Sequence, residues 1–450
     1  MMTLVAFGCQ DQLELQPQQS LSTEESLKDL DGMTTALFGA YDGLQSLDYY
    51  GREYLVMPEV EANLVYLAIN NSNRFVANYL YQWTSTSGDI TAFWNVAYTA
   101  ILRVNNIINN IDALEGDQAR KDQLKGEALA IRALAHFDLV RVFAKQYTQS
   151  SPTSDLGVPV ILESIIDEPA RNTIEQVYGQ VIADLNAAAG LVEDQGIYRI
   201  GPDAVNAMLA RVYLYKGDNG NAVNAAASVI NPGNYTLASD FQAMYNAPGS
   251  SEEIFTLQFV GAENRGSNNL GSIYNPDSYG DIRVTTDLVN LYEDGDVRAD
   301  LIYEAEKGGV MGLFQSKYTS QDNFLGLHSP KLFRLGELHL IRAEANFKLG
   351  NTDDALDEIN ALRGARNASA LTEITMMDII EERQRELAFE GHTKFDLLRN
   401  GMDITRNQCN TGLELSAPCG LTNGDNLNVY PIPQREIDVN QNMVQNPGYN

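Results

Sequence analysis

The chain has 450 residues, of which 44% are hydrophobic and 20% are charged, the balance of an ordinary globular protein. Sixty acidic residues against 31 basic ones give a net charge of −29, which argues against a nucleic-acid or anionic-lipid surface because such surfaces depend on Lys and Arg. No apolar stretch approaches the roughly 20 residues that a membrane helix needs. Any membrane contact therefore requires an anchor, and a neutral ligand or a protein partner fits the charge better.

A cysteine follows a short apolar run at the start of the chain, MMTLVAFGCQDQLELQPQQ. Residues 10–19 hold only two apolar residues, too few to build a packed element, so Cys9 lies at a junction. Gly8 before the cysteine is typical of the site where bacterial lipoproteins are cut and lipidated. Against this, residues 1–8 have no Lys or Arg, and Ala6 stands where leucine is usual. Two interpretations stay open: a lipid attachment site behind a truncated signal peptide, or a structural or incidental thiol.

An irregular segment rich in Gly, Asn, Ser and Tyr, at about 48–90, precedes the first strongly periodic part of the chain. Apolar residues then recur every three or four positions along AYTAILRVNNIINNI and along LKGEALAIRALAHFDLVRVFA, which is the spacing of amphipathic helices. A further helix, TIEQVYGQVIADLNAAAGLV, is predicted to begin at Thr173, with an acid in its first turn.

Two later segments share one helix-turn-helix pattern. Steps of 4, 3, 5 and 4 residues separate a set of small and apolar positions in LARVYLYKGDNGNAVNAAAS, namely Ala210, Leu214, Gly217, Ala222 and Ala226. The same steps recur in RAEANFKLGNTDDALDEINALR, from Ala343 through Gly350 to Ile359. Small alanines let paired helices approach closely, and the glycine ends the first helix with a left-handed cap. The pattern predicts tetratricopeptide-like packing over about 91–230 and 330–400, since such pairs need neighbours to cover their apolar faces.

Between these helical regions, residues of about 236–330 form a second irregular segment, in which SEEIFTLQFV reads as a strand. Long irregular excursions from a helical scaffold are where binding surfaces usually lie. Cys409 and Cys419 follow near the C-terminus, ten residues apart in an Asn- and Gly-rich run. They are expected to form a disulfide if the protein works outside the cytoplasm. The alternative is two free thiols, and no flanking His or third Cys suggests a metal site.

Eight stretches together resemble the SusD/RagB family of outer-membrane lipoproteins of Bacteroidetes, in the order of that family. They are CQDQLELQP, FWNVAYTAILRVNNIINNI, GEALAIRALAHFDLVRVFA, GVPVILE with the ARNTIEQVYGQVIADLNAA helix, EDGDVRADLIY, RLGELHLIRAEANFKLG, IIEERQRELAFEGHTKFDLLRNG and YPIPQREIDVNQNMVQNPGY. The resemblance implies a mainly α fold, a superhelical scaffold of tetratricopeptide-like helical repeats with long irregular ligand-binding loops and a few short strands. The expected layout is a truncated signal at 1–8, a linker at 9–30 and a single domain at 31–450.

The resemblance also implies a function. A lipid on Cys9 would hold the protein on the extracellular face of the outer membrane, and Asp11 and Glu14 resemble the surface-export signals of such lipoproteins. The protein would capture glycans, or in some members peptides, and deliver them to a SusC-type TonB-dependent transporter. Neither catalytic residues nor a cofactor is implied.

Sugar binding needs flat aromatic faces and polar groups at their rim. Trp94 opens a well-patterned helix and is expected to pack in the core, whereas Trp83 lies in the first irregular segment and is either a ligand platform or a packing residue. The other candidates share a position in the two irregular segments: Tyr81, Arg74, Asn73 and Asn78 in the first, and Tyr274, Asn275, Tyr279 and Asp281 in the second. Loop tyrosines often pack without touching a ligand.

Catalysis and metal binding find little support in the residues. Paired carboxylates could hydrolyse a glycan, but the acids of 381–390 resemble a solvated or salt-bridged helix face. The four histidines, His136, His328, His339 and His392, lack HExxH spacing. The acids of EDGDVRAD could suggest a calcium loop, but such a loop needs glycine at its sixth position, where this chain has Ala299. A turn with a helix start is therefore expected there. Two alternatives to glycan capture stay open: a helical scaffold that binds proteins, or a peptide-capturing member of the same family.

Overall fold

A computed structural model describes residues 27–165, 167–246 and 248–449. Cys9 and the predicted signal and linker up to residue 26 lie outside the described residues. The α-helices run in chain order as α1 (Leu30–Leu44), α2 (Glu53–Val60), α3 (Val76–Leu80), α4 (Gly88–Asn110), α5 (Gln118–Phe143), α6 (Ile174–Ala189), α7 (Pro202–Lys216), α8 (Asn219–Ile230), α9 (Ala243–Asn246), α10 (Thr286–Val289), α11 (Leu335–Leu349), α12 (Thr352–Ala365), α13 (Met376–Leu387), α14 (Thr393–Arg399) and α15 (Gln434–Val439). None of the helices in these ranges has the length and apolar character needed to cross a membrane.

Successive helices pack side by side into a scaffold. Helix α4 packs on α5, α5 on α6, α6 on α7 and α7 on α8, while α11 packs on α8, α12 and α13. The first helix of each predicted pair ends at the expected glycine, because Gly217 and Gly350 adopt left-handed conformations with φ of 78° and 85°. The alanines of both repeats, such as Ala210 and Ala343, are fully buried between helices. The prediction of a mainly α fold with tetratricopeptide-like helix pairs is therefore confirmed.

The strands are short and pair two by two. In chain order they are β1 (Val65–Leu67), β2 (Glu253–Thr256), β3 (Ile282–Val284), β4 (Ile302–Lys307), β5 (Val310–Gln315), β6 (Ser320–Gln321), β7 (Phe324–Leu325), β8 (Lys331–Arg334), β9 (Ile404–Thr405) and β10 (Gly420–Leu421). The predicted SEEIFTLQFV strand is found as β2, which pairs antiparallel with β8. Strands β1 and β3 also pair antiparallel, with Val65 opposite Val284. The two irregular segments therefore meet, although some 200 residues separate them in the chain.

A buried ionic cluster ties α13 to the second irregular segment. Arg298 donates to Glu382 (2.6 Å) and to Glu386 (3.1 Å), and Arg366 donates to Glu386 at 2.8 Å. All four side chains are fully buried. Although burial raises it, the charges of the arginines hold the pKa of Glu386 well below its usual value. The acidic stretch of α13 is thus salt-bridged, and its central carboxylates are buried rather than solvated.

The EDGDVRAD stretch belongs to the same cluster. Asp296 is buried and accepts from Arg298 Nη2 at 2.8 Å, and a single 3₁₀ turn follows at Ala299–Leu301. The expected turn with a helix start is therefore what the chain forms here.

Candidate functional site

The first and second irregular segments form one continuous surface beside strands β1 and β3. The backbone N–H of Ala68 donates to the Asp281 carbonyl at 2.9 Å, which prolongs the β1–β3 pairing. One turn later, the Ser72 N–H donates to Asp281 Oδ2 at 3.1 Å, and the Ser72 hydroxyl donates to the same oxygen. These bonds hold residues 71–74 against residues 277–281. We call the region formed by these two stretches the Arg74/Tyr279 surface.

A cation and an aromatic ring lie in contact at the centre of this surface. The guanidinium carbon of Arg74 is 3.9 Å from the centroid of the Tyr279 ring, the geometry of a cation–π contact. Arg74 Nη1 also donates to the Ser72 hydroxyl (3.0 Å), and the Tyr279 hydroxyl donates to Ser267 Oγ (3.1 Å). Arg74 and Tyr279 are half-buried, and Asn73 beside them is exposed. The surface thus offers guanidinium, phenol and amide groups to a ligand, on side chains held in place from both segments.

Asp281 supports this surface from below. It is 2% exposed, and burial raises the pKa of its carboxyl above the ordinary value, while the bonds from Ser72 and the nearby charge of Arg74 act in the opposite direction. Its Oδ2 accepts both bonds from Ser72. Asp281 therefore positions the 71–74 turn and does not itself present a rim group.

Trp83 is buried, in contrast to the platform that one sequence interpretation expected. Its ring is 3% exposed and is enclosed by Tyr81 (centroids 5.8 Å apart), Tyr430 (4.8 Å) and the Lys394 ammonium (5.3 Å). Its Nε1–H donates to the Tyr449 hydroxyl at 2.6 Å. The residue therefore anchors the C-terminal segment, and the packing interpretation fits its position. Trp94 is also 3% exposed, as expected for a core residue.

Two further candidates of the first segment lie in the same interior layer as Trp83. Asn78 is 1% exposed and donates to the Tyr430 hydroxyl (3.0 Å) and to Glu61 (3.2 Å). Tyr81 donates to the backbone carbonyl of Glu61 at 2.5 Å, and burial raises the pKa of its hydroxyl. Both side chains are therefore packing residues of this interior layer.

Tyr274 and Asn275 of the second segment are also interior. Tyr274 is 1% exposed and packs its ring against Phe389, with centroids 5.8 Å apart. The amide oxygen of Asn275 accepts from the backbone N–H of Asp277 at 2.8 Å and so shapes the turn that carries Tyr279. Of the predicted residues, the structure brings Arg74, Asn73 and Tyr279 together at the surface, with Asp281 directly beneath.

A third segment borders this surface. Sequence reasoning did not connect it with the site. The loop closed by Cys409 and Cys419, whose sulfurs are bonded at 2.05 Å, pairs with the end of β1. There Ile69 N–H donates to the Leu413 carbonyl at 3.1 Å. Ile69 and Leu413 are 54% and 44% exposed, so an apolar pair lies next to the polar groups. The only sequence signal was the Asn- and Gly-rich run around the two cysteines, which does not reveal its partner strand.

Metal chemistry has no visible basis in the part of the chain that the structure describes, where no group of three or more His, Cys, Asp or Glu side chains is placed to hold an ion. Two ionisable side chains of this surface, Arg74 and Asp281, are paired with neighbours as described above. To a ligand this surface offers hydrogen-bonding groups, the aromatic ring of Tyr279 and apolar contact.

Comparison with known proteins gives matches over nearly the whole chain. Residues 190–449 match the family model described as the SusD family, and residues 12–214 match the model described as starch-binding associating with outer membrane. The SusD-like protein P2 of Formosa agariphila is 26% identical over 515 aligned residues, which cover 100% of this chain and 98% of that protein. The starch-binding protein SusD of Bacteroides thetaiotaomicron is 40% identical over 119 residues, 26% of this chain and 21% of that protein. A solved structure of a SusD superfamily protein from Bacteroides thetaiotaomicron superposes with a TM-score of 0.88 at 28% identity and covers 93% of this chain and 100% of that one.

Proposed function

The chain belongs to the SusD family, and from this premise we propose that it captures oligosaccharides or polysaccharides and delivers them to a SusC-type TonB-dependent transporter. The matching family description speaks of starch binding in association with the outer membrane, and the similar protein of Bacteroides thetaiotaomicron is named a starch-binding protein. Carbohydrate binding is the part of the proposal that these names support directly. Delivery to the transporter extends it by analogy with the family.

The observation that carries the proposal is the Arg74/Tyr279 surface. A sugar offers hydroxyls that both donate and accept hydrogen bonds and a C–H face that packs on apolar groups and rings. Arg74 and Asn73 supply the polar partners, Tyr279 supplies a ring held by the Arg74 guanidinium, and Ile69 and Leu413 supply exposed apolar contact. In our proposal these residues touch the ligand.

The remaining predicted residues are assigned a supporting role. Asp281 fixes the turn that carries Arg74, and Asn275 shapes the turn that carries Tyr279. In our proposal Trp83, Tyr81, Asn78 and Tyr274, which are nearly fully buried, belong to the packed interior layer and do not touch the ligand. Because their side chains are nearly fully enclosed, substituting them would act on the surface through the stability of this layer.

Attachment and location are proposed from the start of the chain and from the family. Cys9 would carry the lipid, on the strength of Gly8 before it and of the family resemblance, and the protein would then face the outside of the outer membrane. The protein would bind rather than cleave its glycan, as the name of the similar starch-binding protein of Bacteroides thetaiotaomicron describes binding.

The proposal is tested by calorimetric titration of the purified protein against a panel of polysaccharides, their oligosaccharides and mixed peptides. We expect saturable binding of one glycan class, weakened about tenfold or more by Tyr279→Ala. Tyr213→Ala is the matched control, because Tyr213 on α7 is also a half-buried tyrosine packed on the core. Absence of binding by every glycan, or equal loss in both variants, would overturn the proposal; binding of peptides alone would establish the peptide-capturing alternative.

A further inference from the structure

A cavity separate from the Arg74/Tyr279 surface opens at the C-terminal side of the scaffold. It has a volume of about 380 Å³, within the range of small-molecule sites, whereas the neighbouring interior voids hold about 20 Å³ or less. Its wall comes from the loop after α5, from Leu398 in α14 and from residues 423–447. Ser154 and Val444 in this wall are exposed, so the cavity opens to solvent. No described residue lines both this cavity and the Arg74/Tyr279 surface.

The wall of the cavity is made of amides and aliphatic groups. Seven of its 18 described lining residues are Asn or Gln, and Leu156, Leu398, Val429, Val444 and Pro447 supply apolar surface. Amides donate and accept hydrogen bonds, as hydroxyl groups do, so a polyhydroxylated ligand can be matched at several points. None of the described lining residues is aromatic, which leaves aliphatic contact for the C–H face of such a ligand.

Both cations of the cavity wall, Lys145 and Arg171, already have partners. Lys145 lies 3.4 Å from Asp155. Arg171 is 7% exposed and directs its N–H groups at backbone carbonyls, including those of Gly157 (2.7 Å) and Val444 (2.9 Å). Neither cation is directed at the cavity as a free charge, and so the site favours an uncharged ligand over an anion.

Two amides in the wall retain an unused acceptor. Gln146 and Asn428 are 5% and 8% exposed, and among the described residues the oxygens Gln146 Oε1 and Asn428 Oδ1 have no hydrogen-bond partner. Their nitrogens are engaged, since Gln146 Nε2 donates to the Arg141 carbonyl (3.0 Å) and Asn428 Nδ2 donates to the Thr422 carbonyl (2.8 Å). A buried acceptor without a donor costs free energy. Because both residues line the cavity, a ligand hydroxyl there would supply the donor that these oxygens lack.

We propose that this cavity binds a neutral sugar unit of one to two rings, with ligand hydroxyls donating to Gln146 and Asn428. The cavity itself indicates a neutral, hydroxylated ligand, and the choice of a sugar among such ligands rests on the proposed function. It adds a second, interior site to the one at the Arg74/Tyr279 surface. A glycan chain held at the surface and a short sugar held in the cavity would then be independent ligands.

The test uses two exposed valines of the C-terminal segment. Val444 lines the cavity, and its contact with Arg171 is made by the backbone, so Val444→Trp fills the opening without removing that bond. Val439, at the end of α15, is 62% exposed and does not line the cavity, so Val439→Trp is the matched control. Should Val444→Trp lower the melting temperature, Ser154→Trp replaces it, because Ser154 is an exposed wall residue in another segment.

Saturation-transfer NMR with D-glucose, D-galactose, D-mannose and maltose, and with the dipeptide Ala-Ala for comparison, reads out binding. We expect at least one sugar to bind the unaltered protein, to bind about tenfold or more weakly to Val444→Trp, and to bind Val439→Trp unchanged. No sugar signal, an undiminished signal in Val444→Trp, or a signal from Ala-Ala alone would overturn the inference. If short sugars bind in this Val444-dependent way while no long glycan binds, the proposed capture at the surface is refuted and the cavity site stands. If long glycans bind while no short sugar binds in a Val444-dependent way, only the cavity site is refuted.

Discussion

Substituting Trp83 by Ala distinguishes two roles for this residue, packing in the interior and contact with the ligand. The ring is 3% exposed, and its N–H donates to the Tyr449 hydroxyl. Truncation of a buried Trp to Ala typically costs about 3 to 5 kcal/mol through lost burial and the cavity left behind. A chain of this length has an unfolding entropy of about 0.9 kcal/mol/K near its midpoint. We therefore expect the melting temperature to fall by about 3 to 5 °C.

Differential scanning calorimetry measures this change, and glycan titration at 15 °C below the midpoint measures binding by the folded fraction. Trp83→Phe is the matched control, because it keeps a ring between Tyr81 and Tyr430 but loses the N–H donor, which is worth about 1 kcal/mol. We expect glycan affinity to stay within about threefold in both variants. A Trp83→Ala protein that melts normally but no longer binds glycan would refute the packing role and restore the ligand platform.

Two further predictions concern Glu59 and the disulfide. Burial raises the pKa of Glu59 to about 7, against an ordinary value of 4.5, so the folded protein keeps a proton that the unfolded chain releases between these pH values. The stabilisation from this group is fully present below pH 4.5, and about 3 kcal/mol of the free energy of unfolding is lost as the pH rises through 7. In urea titrations at several pH values, Glu59→Gln should not show this loss. A Glu59→Gln protein with the same pH dependence as the unaltered protein would contradict the prediction. The second prediction is that Cys409→Ser with Cys419→Ser lowers stability by about 2 to 3 kcal/mol, the loop-closure entropy of a ten-residue separation. In hydrogen exchange, the amides of Ile69 and Leu415 should then exchange faster, whereas protection in α7 should stay the same; equal protection at Ile69 would show that the loop holds its pairing without the bond.

The helical scaffold could be predicted because its signals are local. Gly217 and Gly350 end helices where their positions in the repeat predicted, and the alanines that follow them lie between helices. Spacing along a single helix decides which side is buried.

The site was less accessible to sequence reasoning because its burial is decided by distant residues. Trp83 is covered by Tyr430 and Tyr449, which lie about 350 residues further along the chain. Tyr274 and Tyr279 come from one loop of uniform composition, yet only Tyr279 reaches the surface. Nothing in the local pattern of either residue encodes such contacts, and the same is true of the contacts of Arg298 with Glu382 and Glu386, which lie more than 80 residues away.

The Arg74/Tyr279 surface and the disulfide loop beside it are assembled from stretches that lie far apart in the gene. Each stretch leaves the helical scaffold and returns to it, so each can be lengthened, shortened or rewritten while the helix pairs keep their spacing. A few variants of each, combined freely, give many distinct surfaces on one framework. An antibody that binds across these stretches would therefore recognise only the folded protein, because its epitope exists only when the stretches are brought together.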